Sequence, residues 1–366
     1  MNILYLTTHS NVGGITSYLL TLSKGMAQKG HTVCLASSTG TLSPEFQKQG
    51  VYIVSIPIKT KSIASPKIVM SLCMLRAYVK KNRIDIIHAN TRVTQALACM
   101  LKRLCGTPYV STCHGFFKPK LLRRAFPCWG GKVIAISESV QRHLIEDFKV
   151  KPGLVRLVYS GIDAEVFSAQ REINSLAAKQ ALGLGEGFVI GIIARLSDVK
   201  GHVYLIQAMK DVVRQFPRAQ LLIAGEGRME KELIALTRSL DLMGRVVFLP
   251  HIEDVAATLS LFDVFVMPSL KEGLGLGLME AMAAGVAVVG SAVGGIKDLI
   301  QDGENGLLVE PANPSQLADA ICALLQDEDR RKRIGAHARD SISRRFSFQK
   351  MIDQTEEVYR ECLSAA

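Results

Sequence analysis

Two glutamates, Glu272 and Glu280, stand in the run from Met267 to Gly290, MPSLKEGLGLGLMEAMAAGVAVVG, which is otherwise mostly apolar, small and glycine residues. A buried ionised carboxylate is costly unless donors surround it, so two of them here call for a polar ligand. Glu272 falls in a loop where Gly273, Gly275 and Gly277 let the backbone approach a ligand closely. Glu280 falls in the helix that follows, whose first turn offers unpaired N–H groups and the positive end of a dipole, both suited to phosphate. Upstream, Arg195 and Lys200 flank another helix start, where two cations oppose the dipole unless an anion lies between them. A diphosphate is such an anion, gripped by a planar Arg fork and a Lys point charge. The set suits a sugar nucleotide. Glu280 would take the ribose hydroxyls and Glu272 the sugar, with Arg195, Lys200 and the amides of Gly273, Leu274 and Gly275 on the diphosphate. The plainer alternative, two glutamates that merely cap a helix or face solvent, leaves Arg195 and Lys200 unexplained.

Other candidates sit in the first half. Gly13-Gly14 lies between the apolar run Asn2–Thr7 and a helix from Ile15 to Lys29, and no nicotinamide-type G-x-G-x-x-G is present. His88 and Asn90 end one expected strand, and His114-Gly115 ends another, Tyr109–Cys113. The segment Phe116–Phe126, FFKPKLLRRAF, mixes Lys118, Lys120, Arg123 and Arg124 with apolar residues. On one short helix these suit an anionic membrane surface or a phosphorylated acceptor, although a charge cluster is often only a solvated face. Asp327-Glu328-Asp329 is the one D-x-D triplet, and reads as a solvated charged turn rather than a cation site. Gly225-Glu226-Gly227-Arg228 lacks the third glycine of a dinucleotide turn.

A chain of 366 residues exceeds what one core usually supports, so two domains are expected. Strands such as Phe188–Ala194, Gln220–Ala224 and Val264–Met267 alternate with helices such as Pro66–Asn82 and Pro314–Leu325. That alternation implies an α/β chain with parallel, doubly wound sheets whose ligands sit at the strand carboxyl ends. The boundary is expected between residues 164 and 165, in a polar, glycine-spaced stretch. A last helix, Ser347–Leu363, carries one apolar stripe that must be buried. The eight cysteines show no C-x-x-C pair or metal-ligand spacing, and read as reduced thiols. No basic leader opens the sequence and no apolar run approaches ~18 residues, so the chain reads as cytoplasmic, at most peripheral on a membrane. Charge is uneven: residues 1–167 carry 22 Lys+Arg against 7 Asp+Glu, and residues 168–366 carry 22 against 26. The basic half should meet an anionic partner.

Glu272-Gly-Leu-Gly with Glu280-Ala-Met-Ala resembles the E-x7-E signature of retaining glycosyltransferases of family 4, and Arg195-Leu-x3-Lys200-Gly resembles a second motif of that family. The likeness extends over essentially the whole chain. It implies the GT-B arrangement, two Rossmann-like domains facing across a cleft. Residues 1–164 with the returning helix 347–366 would bind acceptor, and 165–346 would bind the nucleotide sugar. It implies transfer from a UDP-, GDP- or ADP-sugar to a glycan or lipid-linked acceptor, with retention and without cofactor or metal. It also assigns Gly14 to the donor diphosphate, the backbone at His251-Ile252 to the base, and His114 to the donor sugar. Glu272 and His114 are thus the expected catalytic pair. Ala287, Leu274 and Asn90 depart from the family's usual proline, phenylalanine and histidine, which leaves substrate detail open. Two rival readings are a nucleotide-sugar epimerase of the same fold, and a basic nucleic-acid-binding module; the second lacks any nucleic-acid motif.

Overall fold

The computed structural model describes every residue except 120–122, 124–125, 169–175, 251, 253 and 366. The chain forms two compact units, Met1–Gly161 with Phe348–Ala366, and Ile162–Ser347. The division falls three residues before the place read from the sequence. Ile162 belongs to the second unit because it bridges Ser347 and donates its N–H to the Phe346 carbonyl at 3.1 Å.

The first unit is built on seven strands: β1 (Asn2–His9), β2 (Thr32–Ser38), β3 (Tyr52–Ser55), β4 (Ile86–Ala89), β5 (Tyr109–Cys113), β6 (Lys132–Ala135) and β7 (Val155–Leu157). All pair in parallel, in the order β3-β2-β1-β4-β5-β6-β7. The central strands are continuous apolar runs because helices cover both faces. On one face, the helix Gly14–Gln28 packs with the C-terminal helix Phe348–Ser364, whose Met351, Ile352, Val358 and Tyr359 are buried. On the other, helices Pro66–Lys81 and Arg92–Cys105 cover Leu4, Leu6, Ile87 and Ala89.

The second unit holds β8 (Val189–Ile193), β9 (Gln220–Ala224), β10 (Val246–Leu249), β11 (Val264–Met267), β12 (Ala287–Ser291) and β13 (Leu307–Val309). These are also all parallel, in the order β10-β9-β8-β11-β12-β13. In each sheet the first strand lies between strands wound in opposite directions. The crevices outside the strand ends at β1/β4 and β8/β11 are therefore topological switch points, where open sheets bind ligands.

Three readings need correction. Asp327-Glu328-Asp329 is exposed as expected, but it opens a helix rather than forming a turn: Asp327 caps Glu328–Arg345, its carboxylate accepting from the Arg330 N–H at 2.8 Å. Helix Arg92–Cys105, unassigned from sequence, carries a capping box at Thr91 and Thr94 and ends on left-handed Gly106. Residues 116–119 are irregular rather than helical. Among the described residues no helix is long and apolar enough to cross a membrane.

Candidate active site

The second sheet gathers four of the sequence-picked residues at its switch point. Arg195 and Lys200 follow β8, and Glu272 follows the neighbouring β11. Lys200 and Glu272, 72 positions apart, form an ion pair at 2.5 Å, both side chains largely buried. Ser269 adds a hydroxyl to the same carboxylate at 3.3 Å. Arg195 is exposed, with no ion pair or hydrogen bond to its guanidinium among the described residues. The site thus presents one cation already held by a carboxylate and one free to meet an anion.

Glycines bring these loops together. Gly201, between Lys200 and the helix His202–Gln215, has φ +71°, and a Cβ there would lie 1.8 Å from the Pro268 carbonyl oxygen, so only glycine lets the loop after β8 rest on the loop after β11. Gly225 makes a similar approach, its hydrogen-side space taken by the Ala194 carbonyl, while the Leu196 N–H donates to Glu226 O at 2.9 Å. Gly225-Glu226-Gly227 therefore braces the Arg195 loop, and Arg228 pairs with Asp198 at 2.8 Å.

Helix starts divide into two kinds. Ser65, Thr91, Ser137, Asp254, Asn313 and Asp327 cap their helices with side chains. The helices after β1, β8 and β11 instead open on Gly13, Gly201 and Gly275 with no capping side chain, as do the helices that open on Leu42, Met229 and Gly295. Their first-turn N–H groups are left for solvent or an anion. Leu274 is buried and Gly273 half-buried, so that loop offers backbone rather than side chains.

Glu280 lies in the helix Leu276–Ala283 that begins at this point. No donor reaches its carboxylate among the described residues, and burial pushes its pKa up to about 7. An acceptor that is shielded and unpaired in this way invites hydroxyl donors. Ile252 follows β10 and is half-buried; His251 lies outside the described residues.

In the first sheet, His114 directly follows β5. Its Nε2 donates to Asn90 Oδ1 at 3.0 Å, and the Asn90 amide is oriented by donating to the His88 carbonyl at 3.2 Å. The His114 ring meets Tyr18 edge-on at 4.8 Å, and burial lowers its pKa to about 3, which keeps it neutral with Nδ1 as acceptor. His88 is a different case: fully buried, it bonds Tyr359 Oη and Thr112 Oγ1, each at 2.6 Å, and belongs to the core. Gly14 begins the helix after β1 and is exposed. Asn90, a candidate from the sequence, thus supports His114, whereas Tyr18 and Ser269 are site neighbours that the sequence left without a role. Only Ser269, three residues before Glu272, carried a spacing cue.

In the basic segment 116–126, Arg123 is not the free surface cation expected. Arg123 turns inward over the rings of Phe117, Trp129 and Phe148, at 4.2, 5.1 and 5.0 Å, and loss of water lowers its pKa to about 10. A guanidinium prefers these aromatic faces to open water when they close around it. Lys118 is exposed; Lys120 and Arg124 lie outside the described residues. Among the described residues no group of three His, Cys, Asp or Glu is placed to hold a metal ion.

Comparison with known proteins decides the family. A family model described as Glycosyltransferase Family 4 matches residues 12–166, and one described as Glycosyl transferases group 1 matches residues 175–341. The chain belongs to these glycosyltransferases. It is 29% identical to N-acetyl-alpha-D-glucosaminyl L-malate synthase of Bacillus anthracis, over 98% of this chain and 96% of that one. It is 25% identical to UDP-Gal:alpha-D-GlcNAc-diphosphoundecaprenol alpha-1,3-galactosyltransferase of Escherichia coli, over 89% of this chain and 87% of that one. The crystal structure of Anabaena HepE in complex with UDP-glucose superposes with a TM-score of 0.87 at 24% identity, covering 100% of both chains. The glycosyltransferase therefore has the GT-B fold, and the two parallel sheets are its two Rossmann-like halves.

Proposed function

We propose that this glycosyltransferase moves a sugar from a nucleoside-diphosphate sugar to an acceptor hydroxyl, with retention at the anomeric carbon, in the synthesis of a cell-surface glycan or glycolipid. The observation that carries the reading is the meeting of Lys200 and Glu272 beside uncapped helix starts at the β8/β11 switch point. UDP-sugars are the first donors to test: the E. coli relative is named for UDP-Gal, and HepE was crystallised with UDP-glucose. The acceptor class, a glycan or a lipid-linked sugar, follows the relative named for a diphosphoundecaprenol acceptor.

Cleavage of the bond between the anomeric carbon and the diphosphate oxygen leaves negative charge on the diphosphate. Arg195, Lys200 and the amides of Gly273, Leu274 and Gly275 stabilise it, with Gly14 assigned to the same group. No metal is required by this charge arrangement. Glu272, held between Lys200 and Ser269, orients the sugar hydroxyls as positive charge grows on the ring, and neutral His114 contacts the sugar. Glu280 accepts from the ribose hydroxyls, and the backbone at Ile252 contacts the base. The acceptor oxygen bonds to the anomeric carbon on the face the diphosphate leaves, and a diphosphate oxygen takes its proton.

The test is a panel of UDP-, GDP- and ADP-sugars scored by thermal shift, since a ligand that binds only the native state raises apparent stability. NMR of the product of the active donor then reads the anomeric configuration. A shift with one base and an α-linked product from an α-linked donor is expected. No shift with any donor, an inverted product, or an altered sugar formed without acceptor would refute the reading.

A further inference from the structure

We propose that the outward face of helices Pro66–Lys81 and Arg92–Cys105 docks on an anionic lipid surface. This goes beyond the transfer reaction and does not depend on it.

A helix that covers a sheet should be polar on its far side. Pro66–Lys81 is not. Its inner face buries Ile68, Leu75 and Val79, yet on the opposite side Val69, Met70 and Met74 are 61%, 57% and 48% exposed. At 100° per residue, these three with exposed Cys73 and Ala77 fall on one continuous stripe. Arg92–Cys105 packs alongside, its Cys105 thiol reaching the Arg76 carbonyl, and adds exposed Met100 and Leu104 one turn apart.

Cations fringe the stripe. Lys67, Arg76, Lys80, Lys81 and Arg83 on or just after the first helix, and Lys102 and Arg103 on the second, are exposed, and none is ion-paired among the described residues. From Phe46 to Ser137 there are 16 Lys+Arg and a single acidic residue, Asp85. Asp85 itself is engaged, accepting from the Asn2 N–H at 2.6 Å. Ordinary surfaces mix both signs of charge. An aliphatic stripe within a field of one sign matches the interface of an anionic bilayer: methionine and valine side chains reach the acyl boundary while lysine and arginine meet headgroup phosphates. A second copy of the chain is the poorer occupant, because a two-fold contact would set this cationic face against itself. Nucleic acid is poorer still, since the stripe offers aliphatics and no aromatic platform.

Flotation of the full chain with phosphatidylcholine vesicles, with and without phosphatidylglycerol, tests the proposal. Binding is expected only to the anionic vesicles, and should fall steeply in high salt. Met70→Ser with Met74→Ser, and separately Lys80→Glu with Lys81→Glu, should each weaken partitioning by about tenfold or more. All four positions are exposed, so the melting temperature and UDP-sugar binding should match the parent. The proposal is overturned if the parent ignores anionic vesicles, if it binds neutral ones equally, or if either folded variant partitions like the parent. It is also overturned if sedimentation shows a dimer that the methionine variant abolishes, which would give the face to a second copy.

Discussion

Replacing Glu280 with Gln separates two consequences of its burial. The carboxyl has a pKa of about 7 against an ordinary 4.5. Because the native value is raised, the stability from holding the proton is fully present below the unfolded pKa and is lost as pH rises through 7. The gap at about 1.36 kcal/mol for each pH step amounts to roughly 3 kcal/mol at pH 8, an upper value because water reaches part of the side chain. Glu280→Gln should therefore melt higher than the parent at pH 8 and match it near pH 4.5. Donor binding should respond in the opposite direction. If ribose hydroxyls donate to the ionised carboxylate, which is roughly one-tenth populated at pH 6 and nine-tenths at pH 8, UDP-glucose should bind the parent about tenfold more tightly at pH 8. UDP-glucose itself has no group titrating in that interval. Isothermal titration at both pH values measures this, with the Gln variant weaker and flat. A parent affinity that does not change between pH 6 and pH 8 would exclude ribose binding by the ionised Glu280, and a variant no more stable at pH 8 would exclude the raised carboxyl pKa.

Gly201→Ala should cost several kcal/mol by urea denaturation, or prevent folding, because its Cβ would meet the Pro268 carbonyl at a φ of +71°; a loss under about 0.5 kcal/mol would contradict that. His202 is buried with neither ring nitrogen bonded, and burial and nearby Lys200 lower its pKa to about 4. The native state then binds fewer protons, so stability declines as pH falls below about 6.5, and His202→Gln should lose roughly 1.3 kcal/mol less than the parent between pH 7.5 and pH 5.5. Tyr359→Phe removes the hydroxyl that bonds buried His88 and should cost about 1–3 kcal/mol by thermal melting, a cost that an unchanged Tm would exclude.

The strands were legible because helices cover both sheet faces, which leaves runs such as Val264–Met267 and Gln220–Ala224 apolar without interruption. Helix Glu328–Arg345 was not, because only Ile334, Ala338 and Ile342 mark its inner stripe amid continuous charge. Helix Arg92–Cys105 lay hidden between two strong strand signals despite its caps. At the candidate site, residue type and spacing single out Arg195, Lys200, Glu272 and Glu280, since cations at a helix start and carboxylates among glycines are locally expensive. The Lys200–Glu272 contact itself depends on β8 and β11 becoming neighbours, a long-range pairing that no local pattern encodes. Arg123 misled for the same reason: Trp129 and Phe148, which help enclose it, are scattered along the chain.

If Arg195 and Lys200 hold the diphosphate of a sugar nucleotide, removing both must weaken donor binding. UDP-glucose is titrated into the parent and into the Arg195→Ala, Lys200→Ala double variant, with circular dichroism to confirm that the variant is folded. Saturable binding by the parent and a loss of about a hundredfold or more in the variant is the predicted result; equal affinity in two folded proteins would contradict it.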